Sequence, residues 1–406
     1  MSSWMIRAAT ACIVMAGAHA APVTHTMANG CSIVVSSEPS AGRVAAVLMV
    51  RAGDVDDPPS APGANRVLSR LVMDAANHRA PARFGAAAVD GEMRVDAELD
   101  VTSYSIVTVP AQIGGAIRTL AMLAEPPLWN NTTVMRAVAV EGEADRDAPP
   151  PQWERAFNAW QAKAGLPVPP PANADPPGRE ALRALHARLY VSNRFVLAIA
   201  GEVDVEATMA LAEAVFGALP GEPDRLERRP PRSVSAEPLA GAPDYAFVGY
   251  PAPAAAAPDA PAMEVLATAL GQGKTSPLFR RLRETEGTGY ESGVTYPLRL
   301  SASGVALFTR APGAAAAVRD DLAALWKGAV QAPAGGWDGA RLRASLAWDA
   351  RHQSVRDRAY WLAFWQTAGV GAGYDAEYRA RLLTASDAAI VAAGKRWLRG
   401  EPVTTP

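Results

Sequence analysis

The sequence predicts an α+β protein of two tandem, duplicated domains, each a mixed, mostly antiparallel sheet with helices packed on one face. Three observations carry this. The chain has 406 residues, and roughly 100–200 residues make a domain, so two domains are expected. A stretch rich in proline and charge, residues 221–243, breaks the apolar periodicity as a linker does. On either side of it the same order of elements recurs, strand, helix, paired strands, helices, which points to internal duplication. The expected boundaries are 1–20 for a signal segment, 21–220 for the first domain, 221–243 for the linker and 244–406 for the second domain.

Taken in order, "MSSWMIR" is a short basic leader, "AATACIVMAG" an apolar core and "AHA" a small-x-small cleavage site. The apolar run is too short to span a bilayer. Cleavage after Ala20 and export of a soluble chain are the expectation. Cys12 falls in that leader, so only Cys31 remains, no intrachain disulfide can form, and Cys31 is expected to be a small buried residue. Lys plus Arg number 39 against 41 Asp plus Glu. No block of one sign occurs, so neither nucleic acid nor an anionic membrane surface is suggested as a partner.

"CSIVVSSEPSAGRVAAVLMVRAG" reads as two strand-like runs joined by a turn, and a helical stretch follows from about Gly63 to Ala76. "GEMRVDAELDVTSYSIVTV" gives two more strands. "QIGGAIRTLAMLAE", "NNTTVMRAVAVEGEADR" and "REALRALHARLY" have helical spacing, "NRFVLAIAGEVD" is a buried strand, and "VEATMALAEAVFGAL" is a closing helix. After the linker, "DYAFVGYPAP" is a strand, and "PAMEVLATALGQG" and "SPLFRRLRETEG" are helices. "YESGVTYPLRLSASGVALFTRAP" forms two strands and "AAAAVRDDLAALWKGAV" a helix. The aromatic run "YWLAFWQTAGVGAGY" is expected to be core and interdomain packing.

The turn "NG" at 29–30, "VRAG" at 50–53 and the spacing G-x-x-x-x-L-x-x-L from Gly63 resemble the zinc peptidases of the inverted motif H-x-x-E-H. That family includes pitrilysin, insulin-degrading enzyme and the mitochondrial processing peptidase. "LDVTSYSIVTV", "NRFVLAIAGEVDVEATMALAEAVFGALP", "LGQGKTSPLFRRLRETEGTGY" and "LTASDAAIVAAGKRWL" continue the resemblance over nearly the whole mature chain. It implies a first peptidase-like domain bearing the zinc motif and a second closing over it. In that motif two His one helical turn apart grip the metal and a Glu beside them is the general base.

Here the three positions fall on Arg66, Ser69 and Arg70. Arginine offers no lone pair and stays protonated, and a serine hydroxyl is no base near neutral pH. The zinc site is therefore degenerate, and no cofactor is expected in this chain. The family's third ligand, a Glu on a later helix, corresponds to Glu141, with Glu143 a less well aligned neighbour. Without the His pair, Glu141 is expected to be a solvated or ion-paired carboxylate, with Arg66 or Arg70 as its partner if the fold is kept.

The second half retains a feature. Family members carry an Arg and a Tyr seven residues apart that contact substrate backbone over the zinc cleft; "LRETEGTGY" places Arg283 and Tyr290 at that spacing. Judged alone these would be a surface residue and a strand-start aromatic, but the flanking resemblance favours the substrate-binding role. A permanently charged fork of donors and a neutral hydroxyl suit a carbonyl oxygen that gains charge. "GQGKTS" lacks the first glycine of a phosphate loop, and "NNT" at 130–132 fits a helix cap as well as a glycosylation sequon.

The expectation is a zinc-free subunit of a heteromeric zinc metallopeptidase, inactive alone. It would be exported to the bacterial periplasm, with a homologous zinc-bearing subunit as partner and peptide as substrate. The alternatives are an inert structural or assembly subunit and a stand-alone exported peptide-binding protein. Family members add a final strand after their last helix; here only "GEPVTTP" follows. The last sheet edge is therefore expected to be open or completed by another segment.

Overall fold

The structure, a computed structural model, describes residues 21–89, 91–147, 152–170, 175–221, 244–285, 291–331 and 336–405. The expected signal and all but the first residue of the expected linker lie outside these.

The first sheet contains β1 (Val23–Thr26), β2 (Ser32–Ser37), β3 (Val44–Val50), β4 (Met93–Ala97), β5 (Thr102–Thr108) and β6 (Phe195–Gly201), in the order β1-β2-β6-β3-β5-β4. The second contains β7 (Tyr245–Ala252), β8 (Ser292–Thr295), β9 (Ser303–Arg310) and β10 (Val403–Thr404), in the order β10-β7-β9-β8. The duplication is visible here: β6-β3-β5-β4 and β10-β7-β9-β8 have the same order, and every neighbouring pair in both is antiparallel. The first sheet adds β1 and β2 at one edge, with β2 parallel to β6. Central strands read as continuous apolar runs because both their faces are covered, and every residue of β3 and β6 is buried. The threonine-rich edge strand β1 is exposed throughout.

Each domain packs its own helices on one face of its sheet, as expected, and each sheet receives a helix from the other half on its second face. The helix Gln152–Lys163 lies among the first domain's helices in sequence but packs on β7 and β10 of the second sheet. Phe157 and Trp160 form a core there with Tyr245, Phe247 and Ala306. The Trp160 indole Nε1 donates to the carbonyl of Val403 at 2.8 Å. Reciprocally, Val355–Thr367, which overlaps the expected aromatic packing run at 360–374, lies against β3 and β6. Leu362, Ala363 and Phe364 share one core with Val47, Met49 and Ala198. Polar contacts close the seam: Arg358 pairs with buried Glu38, Tyr360 donates to Glu98 at 2.8 Å, and Ser301 donates to Asp100 at 2.7 Å.

The chain's own tail completes the second sheet, which corrects the expectation of an open or borrowed edge. Val403 and Thr404 pair with Gly249 and Val248. Phe247 and Thr405 exchange two further bonds, Thr405 N–H to the Phe247 carbonyl at 2.9 Å and Phe247 N–H to Thr405 Oγ1 at 3.1 Å. Two residues are too few to show a strand period, so the pairing comes from tertiary context. Among the described residues no helix is long and apolar enough to cross a membrane.

Candidate functional site: a degenerate metal motif and an arginine on a helical turn

The chain enters the motif helix, Ala64–Phe84, through Gly63, whose φ of 83° lies in the left-handed region that a glycine adopts without steric cost. Gly63 has no side chain to cap the helix, and the preceding loop supplies one instead. The two carboxylate oxygens of Asp57 accept the N–H groups of Gly63 and Asn65, each at 2.7 Å. A carboxylate here also meets the positive end of the helix dipole. Val67, Leu68, Leu71 and Val72 bury the opposite face in the first domain's core.

Arg66, Ser69 and Arg70 share one side of this helix, as three- and four-residue spacing requires. Arg66 engages Asp54 with a two-pronged contact, Nε to Oδ1 at 3.2 Å and Nη2 to Oδ2 at 3.0 Å. The Asp54 side chain is 1% exposed and that of Arg66 31%. Burial raises the Asp54 carboxyl above its ordinary range and Arg66 opposes the rise. Ser69 is buried, its hydroxyl donating to the Arg66 carbonyl at 2.8 Å within the same helix. Below it Tyr104 donates to the Ser69 carbonyl at 3.2 Å, with the Tyr190 hydroxyl 2.6 Å away.

Arg70 reaches the neighbouring helix, Asn131–Asp147, where its Nε lies 3.1 Å from Glu141 Oε1. The expected pair is therefore formed, and by Arg70; Arg66 takes Asp54. The Glu143 side chain lies outside what the structure describes. The side chains gathered here do not fit zinc: the two guanidinium groups offer no lone pair, the Ser69 hydroxyl is bonded into its own helix, and the Glu141 carboxylate is held by Arg70. Among the described residues no three His, Cys, Asp or Glu side chains gather as a metal set.

Asp54 and Asp57 are the residues that sequence reasoning missed. The signal was present in "DVDDPPS", an acidic run just before a helix start, where negative charge is favoured. Beside this loop a cavity of about 380 Å³ is lined by Asp56, Asp57, Pro58, Ser60, Leu185 and Arg188, among others. A larger hollow of about 720 Å³ lies at the ends of β2 and β6. Its carboxylates are engaged with backbone, Glu202 with Gly42 N–H and Asp204 with Ala207 N–H.

Arg283 sits on a π-helical turn, Arg280–Thr285, that continues from Pro277–Phe279. Ser276 caps the start, accepting the Phe279 N–H at 3.2 Å, and fully buried Leu282 fixes the turn to the core. Turns of this kind recur at functional sites. Arg283 is partly exposed there, and Tyr290 lies outside the described residues, as do 286–289. The remaining motif residues are structural. Cys31 is buried and its thiol is pushed up to about 12 by burial, and Asn130 caps its helix through Thr133 N–H at 2.8 Å.

Residues 178–323 match the family model described as the peptidase M16 inactive domain. An uncharacterised zinc protease of Mycobacterium leprae is 26% identical over 289 residues, 65% of this chain and 63% of its own length, so the match spans less than two thirds of that relative. The structure of a peptidase M16 inactive domain from Pseudomonas fluorescens superposes with a TM-score of 0.74 at 16% identity, covering 94% of this chain and 96% of that one. A chain of complex III from Candida albicans gives a TM-score of 0.78 at 12% identity, covering 94% and 95%. These last two likenesses are of fold. Residues 178–323 are thus similar to the peptidase M16 inactive domain, and the chain as a whole shares the two-sheet fold of a solved structure of such a domain.

Proposed function

We propose that the chain is the zinc-free subunit of a two-subunit M16 peptidase, exported to the periplasm after cleavage at Ala20. A homologous partner would supply the H-x-x-E-H zinc site, and this chain would close the peptide chamber and contact substrate backbone through Arg283 and Tyr290. The observation that carries the reading is the state of the motif helix. Arg66 and Arg70 are engaged by Asp54 and Glu141, so the face that would hold metal is tied up in ion pairs. The zinc-protease relative and the position of Arg283 on a capped, core-anchored turn support it.

The test is co-expression with an exported H-x-x-E-H homologue from the same genome. The isolated chain should cleave no peptide, the pair should cleave faster than the homologue alone, and Arg283→Ala and Tyr290→Phe should remove most of that gain without separating the subunits. Full activity of the homologue alone, or a silent Arg283→Ala, would favour an inert assembly subunit instead.

A further inference from the structure

The cavity in front of the motif helix is not used by the proposed function. Its volume of about 380 Å³ falls within the range of small-molecule sites, which are mostly apolar with a few convergent polar groups. Val55, Pro58, Pro59, Ala181, Ala184 and Leu185 form apolar walls, and Asp56, Asp57, Ser60 and Arg188 supply the polar groups.

Asp54, behind the loop, is matched by Arg66. Asp56 accepts the Gly53 N–H through its carboxylate at 3.2 Å, and Arg188 donates to the Asp56 carbonyl at 2.5 Å. Among the described residues the donors on the Asp57 oxygens are backbone N–H groups, and the cation that acts on it, Arg66, is engaged by Asp54. No side chain among the described residues donates to the Asp57 carboxylate. A carboxylate oxygen accepts more than one hydrogen bond, so each Asp57 oxygen retains acceptor capacity.

We propose that this cavity binds a primary ammonium group carried on an apolar stem, with Asp57 as counter-ion and the Pro58, Pro59 and Leu185 wall covering the stem. The inference is separate from the peptidase reading and needs no partner subunit. Burial and neighbouring Asp54 push the Asp57 carboxyl up to about 7. A bound ammonium favours the ionised carboxylate, so affinity rises with pH through that value and binding releases a proton.

The experiment is titration of the isolated mature chain with n-butylammonium, followed by calorimetry and by NMR. For so small a ligand the expected dissociation constant is on the order of 1 mM, tightening between pH 6 and about 8 as Asp57 ionises. Asp57→Asn should weaken binding about tenfold or more. Ala184→Trp fills the cavity from its wall and leaves the helix cap intact, so it should abolish binding even if Asp57→Asn folds poorly. N-acetyl-lysine methylamide offers the amine on a side chain and leucine methylamide offers it at a chain end. Whichever displaces n-butylammonium identifies the source of the natural group. No saturable binding by the wild-type chain, binding unchanged in Ala184→Trp, or displacement by neither competitor overturns the proposal.

Discussion

Arg70 and Glu141, 71 positions apart in sequence, meet at 3.1 Å across two neighbouring helices. The contact ties the motif helix to the helix Asn131–Asp147. Its companion, Arg66 with Asp54, differs in one respect that decides the energetics: Asp54 is almost completely buried, whereas Glu141 keeps 25% of its side chain exposed.

The two pairs should therefore respond differently to mutation. Arg66→Ala leaves a buried carboxylate without its cation, and breaking such a pair from one side costs about 3–5 kcal/mol. Glu141→Gln removes a partly exposed partner and should cost roughly 1 kcal/mol or less. Urea denaturation of the two variants measures this. Equal losses would mean that the Asp54 pair is not the stronger constraint on the motif helix.

Two groups should shape stability against pH in opposite directions. Burial lowers His186 to about 4 from 6.5, so between those values the unfolded chain binds more protons and stability is lost as pH falls. Asp57 is raised from 3.8 to about 7, so over that interval the folded chain binds more protons and stability is lost as pH rises. Asp57→Asn carries an offset from the altered helix cap, but its stability relative to wild type should improve steadily from pH 4 to pH 7. His186→Phe should flatten the acid limb between pH 6.5 and pH 4. Thermal melts over pH 4–8 check both slopes, and parallel curves for Asp57→Asn and wild type would contradict the first.

The fold class was legible because it rests on periodicity. The apolar runs of β3 and β6 and the spacing of Val67, Leu68, Leu71 and Val72 state which faces are buried. Periodicity does not state what those faces meet. The helix Gln152–Lys163, set among prolines, could not be assigned to the opposite sheet from its own residues, and β10 is too short to carry a pattern. At the site, a partner for Glu141 in either Arg66 or Arg70 followed from resemblance to a family in which the two helices are neighbours, and the structure selects Arg70. The pairing of Arg66 with Asp54 did not, because a loop carboxylate reaches the helix through backbone geometry that no spacing rule describes.

The exchanged helix gives the last prediction. Trp160 is fully buried between Phe157 and the second sheet, and its indole holds the Val403 carbonyl that belongs to the tail strand. Opposite it β9 carries Gly304, where a Cβ would stand 2.7 Å from the Trp160 ring and from the Leu166 side chain. Glycine is required there by close approach of the ring. Trp160→Phe keeps most of the apolar contact and loses the hydrogen bond, for a cost of about 1 kcal/mol. Trp160→Ala leaves a cavity and should cost about 3–5 kcal/mol, and Gly304→Ala should cost about 1–3 kcal/mol by overpacking. In both Trp160 variants the amides of Thr405 and Gly249 should lose protection in hydrogen exchange before those of β3 and β6, because the short tail strand takes part of its anchorage from this side chain, whereas β3 and β6 belong to the other sheet. Uniform loss of protection across both sheets would show instead that the helix stabilises the two halves as a single cooperative unit.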